Sequence, residues 1–89
     1  MTKDDAEKLS ILMMQINSMM NDSVAFVRDN DKDEIFDGYA RTAGKIMGSL
    51  FLDIEEKLWN KYPELRPEQM DGDYKVDPKI FQPRFYEWK

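Results

Sequence analysis

The chain contains neither cysteine nor histidine among its 89 residues. Zinc sites of the usual kind, thiol nucleophiles and histidine acid–base pairs are therefore closed to it. What remains for chemistry is carboxylates, lysines, tyrosines, or a hard metal held by oxygen ligands. Long apolar runs are missing too. None exceeds four residues, as in Ile11 to Met14, so no segment is built to span a bilayer. The opening "MTKDDAEK" is acidic and has no apolar core of signal-peptide type. With disulfides also absent, the expected location is cytoplasmic.

Glycine and proline are scarce, four of each, and both are unevenly placed. All four prolines come after Tyr62, while Gly38, Gly44 and Gly48 fall inside a stretch that otherwise reads as helix. The formal net charge is −5. Residues 74–89 hold four Lys/Arg against two Asp/Glu, a local +2 that leaves −7 for the rest. An acidic body argues against nucleic-acid binding and favours either simple solubility or a basic protein partner. A charged fraction of 35% beside 42% hydrophobic residues is ordinary for one small folded domain spanning 1–89.

Asp4 with Glu7 reads as a capping pair. Beyond it Leu9, Leu12, Met13, Ile16, Met20, Ser23 and Val27 recur on one helical arc, with Gln15, Ser18, Asn21 and Asp22 largely opposite. The spacing predicts a first helix from about residue 5 to 28. "RDNDKDE" interrupts the pattern: Asn30 suits a helix-ending turn, and Asp31 with Glu34 repeats the capping logic. A second helix follows from about 32 to 62, with a stripe of Ile35, Tyr39, Ala43, Ile46, Leu50, Ile54 and Leu58, stopped by Pro63. So short a link makes the two antiparallel neighbours. The tail, 63–89, is mostly irregular but holds Tyr74, Phe81, Phe85, Tyr86 and Trp88, five of eleven aromatics, and is expected to dock on the helices and bury those rings. The fold class is all-α: an antiparallel two-helix hairpin with a docked aromatic tail.

A glycine inside a helix costs about 1 kcal/mol relative to alanine, so two spaced four apart should be gaining something. Gly44, Gly48, Leu52 and Trp59 lie in line, a strip that admits close approach by the tail, by a second copy, or by a foreign partner. On the first helix Ile11 and Met14 point away from the main stripe, and Met19 and Phe26 widen the apolar arc to one side. Surplus apolar surface on a hairpin is commonly covered by pairing into a four-helix bundle, so the expected state is a dimer.

Other constellations have ordinary explanations. Asp29, Asp31 and Asp33 alternate like the opening of a calcium loop, but Glu34 stands where glycine is needed and Ala40 where glutamate is needed. No metal and no cofactor is predicted. Asp53, Glu55 and Glu56 include one acid, Asp53, at the edge of the stripe, where partial burial would raise its pKa; pairing with Lys57 is the simpler account. Lys75, Lys79, Arg84 and Lys89 sit among the tail aromatics, a pattern better suited to docking on acidic helices than to nucleic acid. The functional expectation is a non-enzymatic protein–protein interaction module, homodimeric, using Gly44, Gly48, Leu52, Trp59, Ile11 and Met14. The alternative is an acidic inhibitor, of the immunity-protein kind, that neutralises a basic toxin or nuclease through Asp29, Asp31, Asp33, Glu34 and Asp37.

Overall fold

A computed structural model of the chain describes residues 1–31 and 35–87. The first helix, α1, runs Lys3–Asn30. Its start lies two residues earlier than the Asp4–Glu7 pair suggests. Thr2 is the cap: its hydroxyl accepts from the Asp5 amide and the Asp5 carboxylate accepts from the Thr2 amide, both at 3.1 Å. Threonine fits a capping hydroxyl as well as aspartate fits a carboxylate, and here the reciprocal pair is Thr-x-x-Asp. At the other end Asn30 is still helical and donates its side-chain amide to the Phe26 carbonyl at 2.8 Å. The cap is Asp31, in extended conformation, not Asn30. The expected cap contribution of Glu34 lies outside the described residues.

The second helix is continuous over 35–61 but not uniform. It comprises α2, Ile35–Ser49, then a π-helical segment, Leu50–Glu55, then α3, Glu56–Lys61. The amide of Glu56 donates to the Phe51 carbonyl, five residues back. Such a segment amounts to one inserted residue, which rotates everything after it by about 100° relative to a straight α-helix. Tyr62 leaves the helix just before Pro63.

The two long helices pack antiparallel, as their cross-links show. Tyr39 donates to Ser23 at 2.7 Å, Asn17 donates to Glu55, and Trp59 donates its indole N–H to Ser10 at 2.9 Å. Residue numbers on one rod climb as those on the other fall. The buried cluster sits at the open end of the hairpin: Ala6, Leu58, Trp59 and Leu65, with Leu9, Phe51, Tyr62 and Tyr74 packed on it. The long dimension of 44 Å matches a 28-residue helix at about 1.5 Å per residue. Among the described residues there is no strand, only an isolated parallel bridge between Pro67 and Tyr74.

After Pro63 the chain makes three short 3-10 turns, Pro63–Leu65, Glu68–Met70 and Pro78–Phe81. It meets α1 through rings and apolar side chains, as Phe85 and Tyr86 on Phe26 and Leu65 near Ala6, and through a set of polar contacts. Tyr74 donates to Glu7 at 2.7 Å, the Gln15 side chain to the Ile80 carbonyl at 2.9 Å, and Tyr86 to Asp29 at 2.6 Å. Arg84 grips both oxygens of Asp22, which is 1% exposed. So the face of α1 carrying Gln15, Ser18 and Asp22, polar and seemingly solvated in the sequence, is the one the tail covers. The tail rings are not all buried: Phe85 is 60% exposed, touching Phe26 edge-on. Trp88 lies outside the described residues.

Candidate functional site

The π segment decides which side chains meet α1. A straight-helix reading turns Ile54 inward and puts Asp53 at the edge. With one residue inserted, Ile54 and Asp53 face outward and Glu55 takes the inward position, only 3% exposed. Asp53 is exposed, and the buried acid of this stretch is Glu55, two residues on. Its Oε1 accepts from the Asn17 amide, and burial pushes its carboxyl above the ordinary 4.5, a rise only partly opposed by that hydrogen bond. The other atom of the Asn17 amide, Oδ1, is buried and without a hydrogen-bond partner among the described residues.

These two groups line a cleft of about 390 Å³ between α1, the π segment and the tail. Phe51, Trp59, Phe81, Met14, Met70 and Val76 supply apolar walls; Asn17, Glu55 and Arg84 are prominent among its polar residues. The volume is in the range of small-ligand sites, and convergent polar groups in an apolar cleft are their usual signature. Arg84 contributes little free charge, since its guanidinium is already held by Asp22. Met14 therefore lines an internal cleft and is 9% exposed, while Trp59 is 2% exposed, with Arg66 stacked 5.7 Å over its ring. Both are turned into their own chain.

The remaining residues singled out in the sequence scatter. A Cβ added at Gly44 or Gly48 would meet nothing within 4 Å, so none of the described tail residues lies across them. Leu52 beyond them is 61% exposed, and Ile11 is half-buried. The glycine that a close approach does require is Gly72, where a Cβ would sit 1.9 Å from the Arg66 carbonyl oxygen. There the chain folds back so that Tyr74 pairs with Arg66 and Glu68, through bonds of 3.0 and 3.1 Å. The acids of the interhelical turn have different surroundings. Asp29 is engaged by Arg28 and Tyr86, Asp31 caps α1, Asp37 is exposed on α2, and Asp33 and Glu34 lie outside the described residues.

A second feature is a broad apolar face. On α1, Leu12, Met19 and Phe26 are 47%, 56% and 41% exposed, one every seven residues. Beside them Ile16, Met20, Tyr39 and Phe85 line a groove of about 310 Å³. Ile35 and Ile46 lie on the same side of α2 as Tyr39, within about 40° at 100° per residue, and are 56% and 46% exposed. A further groove of about 440 Å³, lined by Ile46, Leu50 and Ile54 with Lys45, Ser49 and Asp53, continues along the rod. Gly44 and Gly48 fall on roughly the opposite side of α2 from Ile46. Among the described residues no helix is long and apolar enough to cross a membrane.

Compared with protein-family models, with curated protein sequences and with solved structures, the chain matches none.

Proposed function

We propose that the protein is a small cytoplasmic, non-enzymatic interaction module that acts through contact with a second protein surface, in the first instance a second copy of itself. The observation that carries this reading is the exposed stripe Leu12–Met19–Phe26, flanked by Ile35, Ile46 and Phe85. Large apolar side chains grouped on one side of a small protein mark interaction surfaces. A seven-residue repeat is the spacing at which one helix presents a seam to another. The three residues are also evenly disposed about Met19. A two-fold axis there sets Leu12 of one copy on Phe26 of its partner and the reverse, as an isologous contact demands. The broad side of the molecule, 44 by 25 Å, has room for the roughly 800 Å² per partner of a standard interface. Two hairpins joined so make a four-helix bundle.

Light scattering coupled to size exclusion is the test. The expected mass is twice the 10.6 kDa of the chain, little affected by salt because the seam is apolar. Met19→Asp sets two like charges beside the axis and yields a monomer of unchanged helicity. Gly48→Leu, on the other side of α2, leaves the dimer intact. A wild-type chain that stays monomeric at high concentration refutes self-association; a dimer broken by Gly48→Leu and not by Met19→Asp relocates the seam to the glycine strip.

A further inference from the structure

The cleft that carries Glu55 lies apart from the Leu12–Met19–Phe26 stripe and has a chemistry of its own. We propose that it binds small organic monoamines, the ammonium group seated between the Glu55 carboxylate and Asn17 Oδ1, the apolar body against Phe51, Trp59 and Phe81. This does not rest on self-association.

The argument is one of unmatched acceptors. Asn17 Oδ1 is a buried oxygen with no donor, and Glu55, with one donor on Oε1, has lone pairs to spare. The residues that carry them, Asn17 and Glu55, line the same cleft of about 390 Å³. An ammonium brings three donors and a positive charge, so it answers both oxygens at once. Anions are disfavoured. The cation lining the cleft, Arg84, is committed to Asp22 through two bonds, so a carboxylate or phosphate would face Glu55 without a free counter-charge. The rest of the lining is largely apolar and aromatic, which favours a hydrocarbon or aryl body over a sugar or a polyamine. Size limits the ligand to one headgroup and a short body. Burial already holds the Glu55 carboxyl partly in its neutral form as pH falls. A bound cation needs the ionised form, so affinity grows as pH rises through the shifted pKa. Of the residues lining the cleft only Glu55 and Arg84 carry ionisable side chains, and Arg84 keeps its charge throughout.

Titration calorimetry with benzylamine, run beside benzyl alcohol and benzoate, tests the proposal on the full chain. Benzylamine is expected to bind, and the neutral and anionic isosteres not. Glu55→Gln should weaken it by more than about tenfold, the scale of one lost charge-assisted contact. Asp53→Asn removes the same charge two residues away on the exposed side and should leave affinity within about twofold, the size of a screened surface effect. Thermal melts of both variants establish that they are folded. Binding that strengthens from mildly acidic to neutral pH completes the support. Failure of benzylamine to bind, equal binding of benzyl alcohol, a flat pH profile, or equal losses in Glu55→Gln and Asp53→Asn each overturns the assignment.

Discussion

Replacing Glu55 by glutamine should stabilise the protein at neutral pH and do nothing in acid. Glutamine has the shape of glutamate, so the Asn17 amide still donates to Oε1. The new Nε2 can in turn donate to Asn17 Oδ1, which has no partner now, closing a two-bond amide pair. Satisfying a buried orphan is worth about 1–3 kcal/mol. Against this stands the loss of a charge-assisted bond, roughly 1 kcal/mol stronger than its neutral counterpart. The net is about 1 kcal/mol in favour of glutamine, or about 4–8 °C in Tm for a chain of this size. The sign of the pH dependence follows from the raised carboxyl. Glu55's folded pKa lies above 4.5, so its stabilising contribution is fully present below that pH and is lost as pH rises through the folded value. In acid the protonated carboxyl itself donates to Asn17 Oδ1, and glutamine brings no advantage. Melts followed by far-UV circular dichroism at about pH 4 and at neutral pH decide it. A Tm difference that is the same at both, or a lower neutral-pH Tm for Glu55→Gln, refutes the pairing of these two side chains.

The glycines respond in opposite directions. Gly44→Ala and Gly48→Ala each gain about 1 kcal/mol in urea melts, since a Cβ there meets nothing; a loss at either would mean something lies across it. Gly72→Ala drives a methyl into the Arg66 carbonyl and loses about 1–3 kcal/mol, with the Tyr74 fold-back loosened first. Tyr74 titrates late: its bond to Glu7 lifts it from 10.0 to about 12, and Tyr86 is raised likewise by Asp29. The Tyr74–Glu7 contribution to stability is therefore intact below about pH 10 and is lost as pH rises towards 12. Ultraviolet titration of tyrosinate in wild type and Tyr74→Phe reads it directly; four tyrosines ionising together would rule the bond out.

The hairpin was legible because period and punctuation agree. Apolar residues repeat at helical spacing on both sides of "RDNDKDE", and Pro63 ends the second rod one residue after Tyr62. Details that depend on cross-chain partners were not. Nothing local marks Thr2 over Asp4 as the cap, because both residues are good caps with an acid three residues on. Asp22 reads as solvated until Arg84, 62 residues later, covers it. Gly72 stands in "DGD", which in sequence marks only a turn, and the fold-back onto Arg66 shows that its missing side chain is used. Tail aromatics suggested burial of rings, yet Tyr74 and Tyr86 attach through their hydroxyls to acids of α1, and Phe85 stays exposed.

The π segment ties the two candidate surfaces together. Had Leu50–Glu55 been regular helix, Ile54 would fall within about 20° of buried Ala43 and Glu55 would turn to solvent, as an acid ordinarily does. One inserted residue reverses both. It leaves an isoleucine, 39% exposed, beside Ile46 on the outer groove, and it sets an acid against Asn17 in a cleft walled by rings. Each change alone is unfavourable, since one exposes apolar surface and the other desolvates a carboxyl. A π-helical turn adds its own poorer geometry. Deleting Asp53 straightens the rod yet leaves Ile54, Glu55 and Trp59 on the sides they already face, because one residue fewer undoes the one inserted. That deletion should therefore raise the melting temperature of the isolated chain by relieving the π turn alone, with amine binding at the cleft and self-association both kept. Loss of either surface on deletion would mean that the π geometry itself, and not the facing of the residues after it, builds that surface.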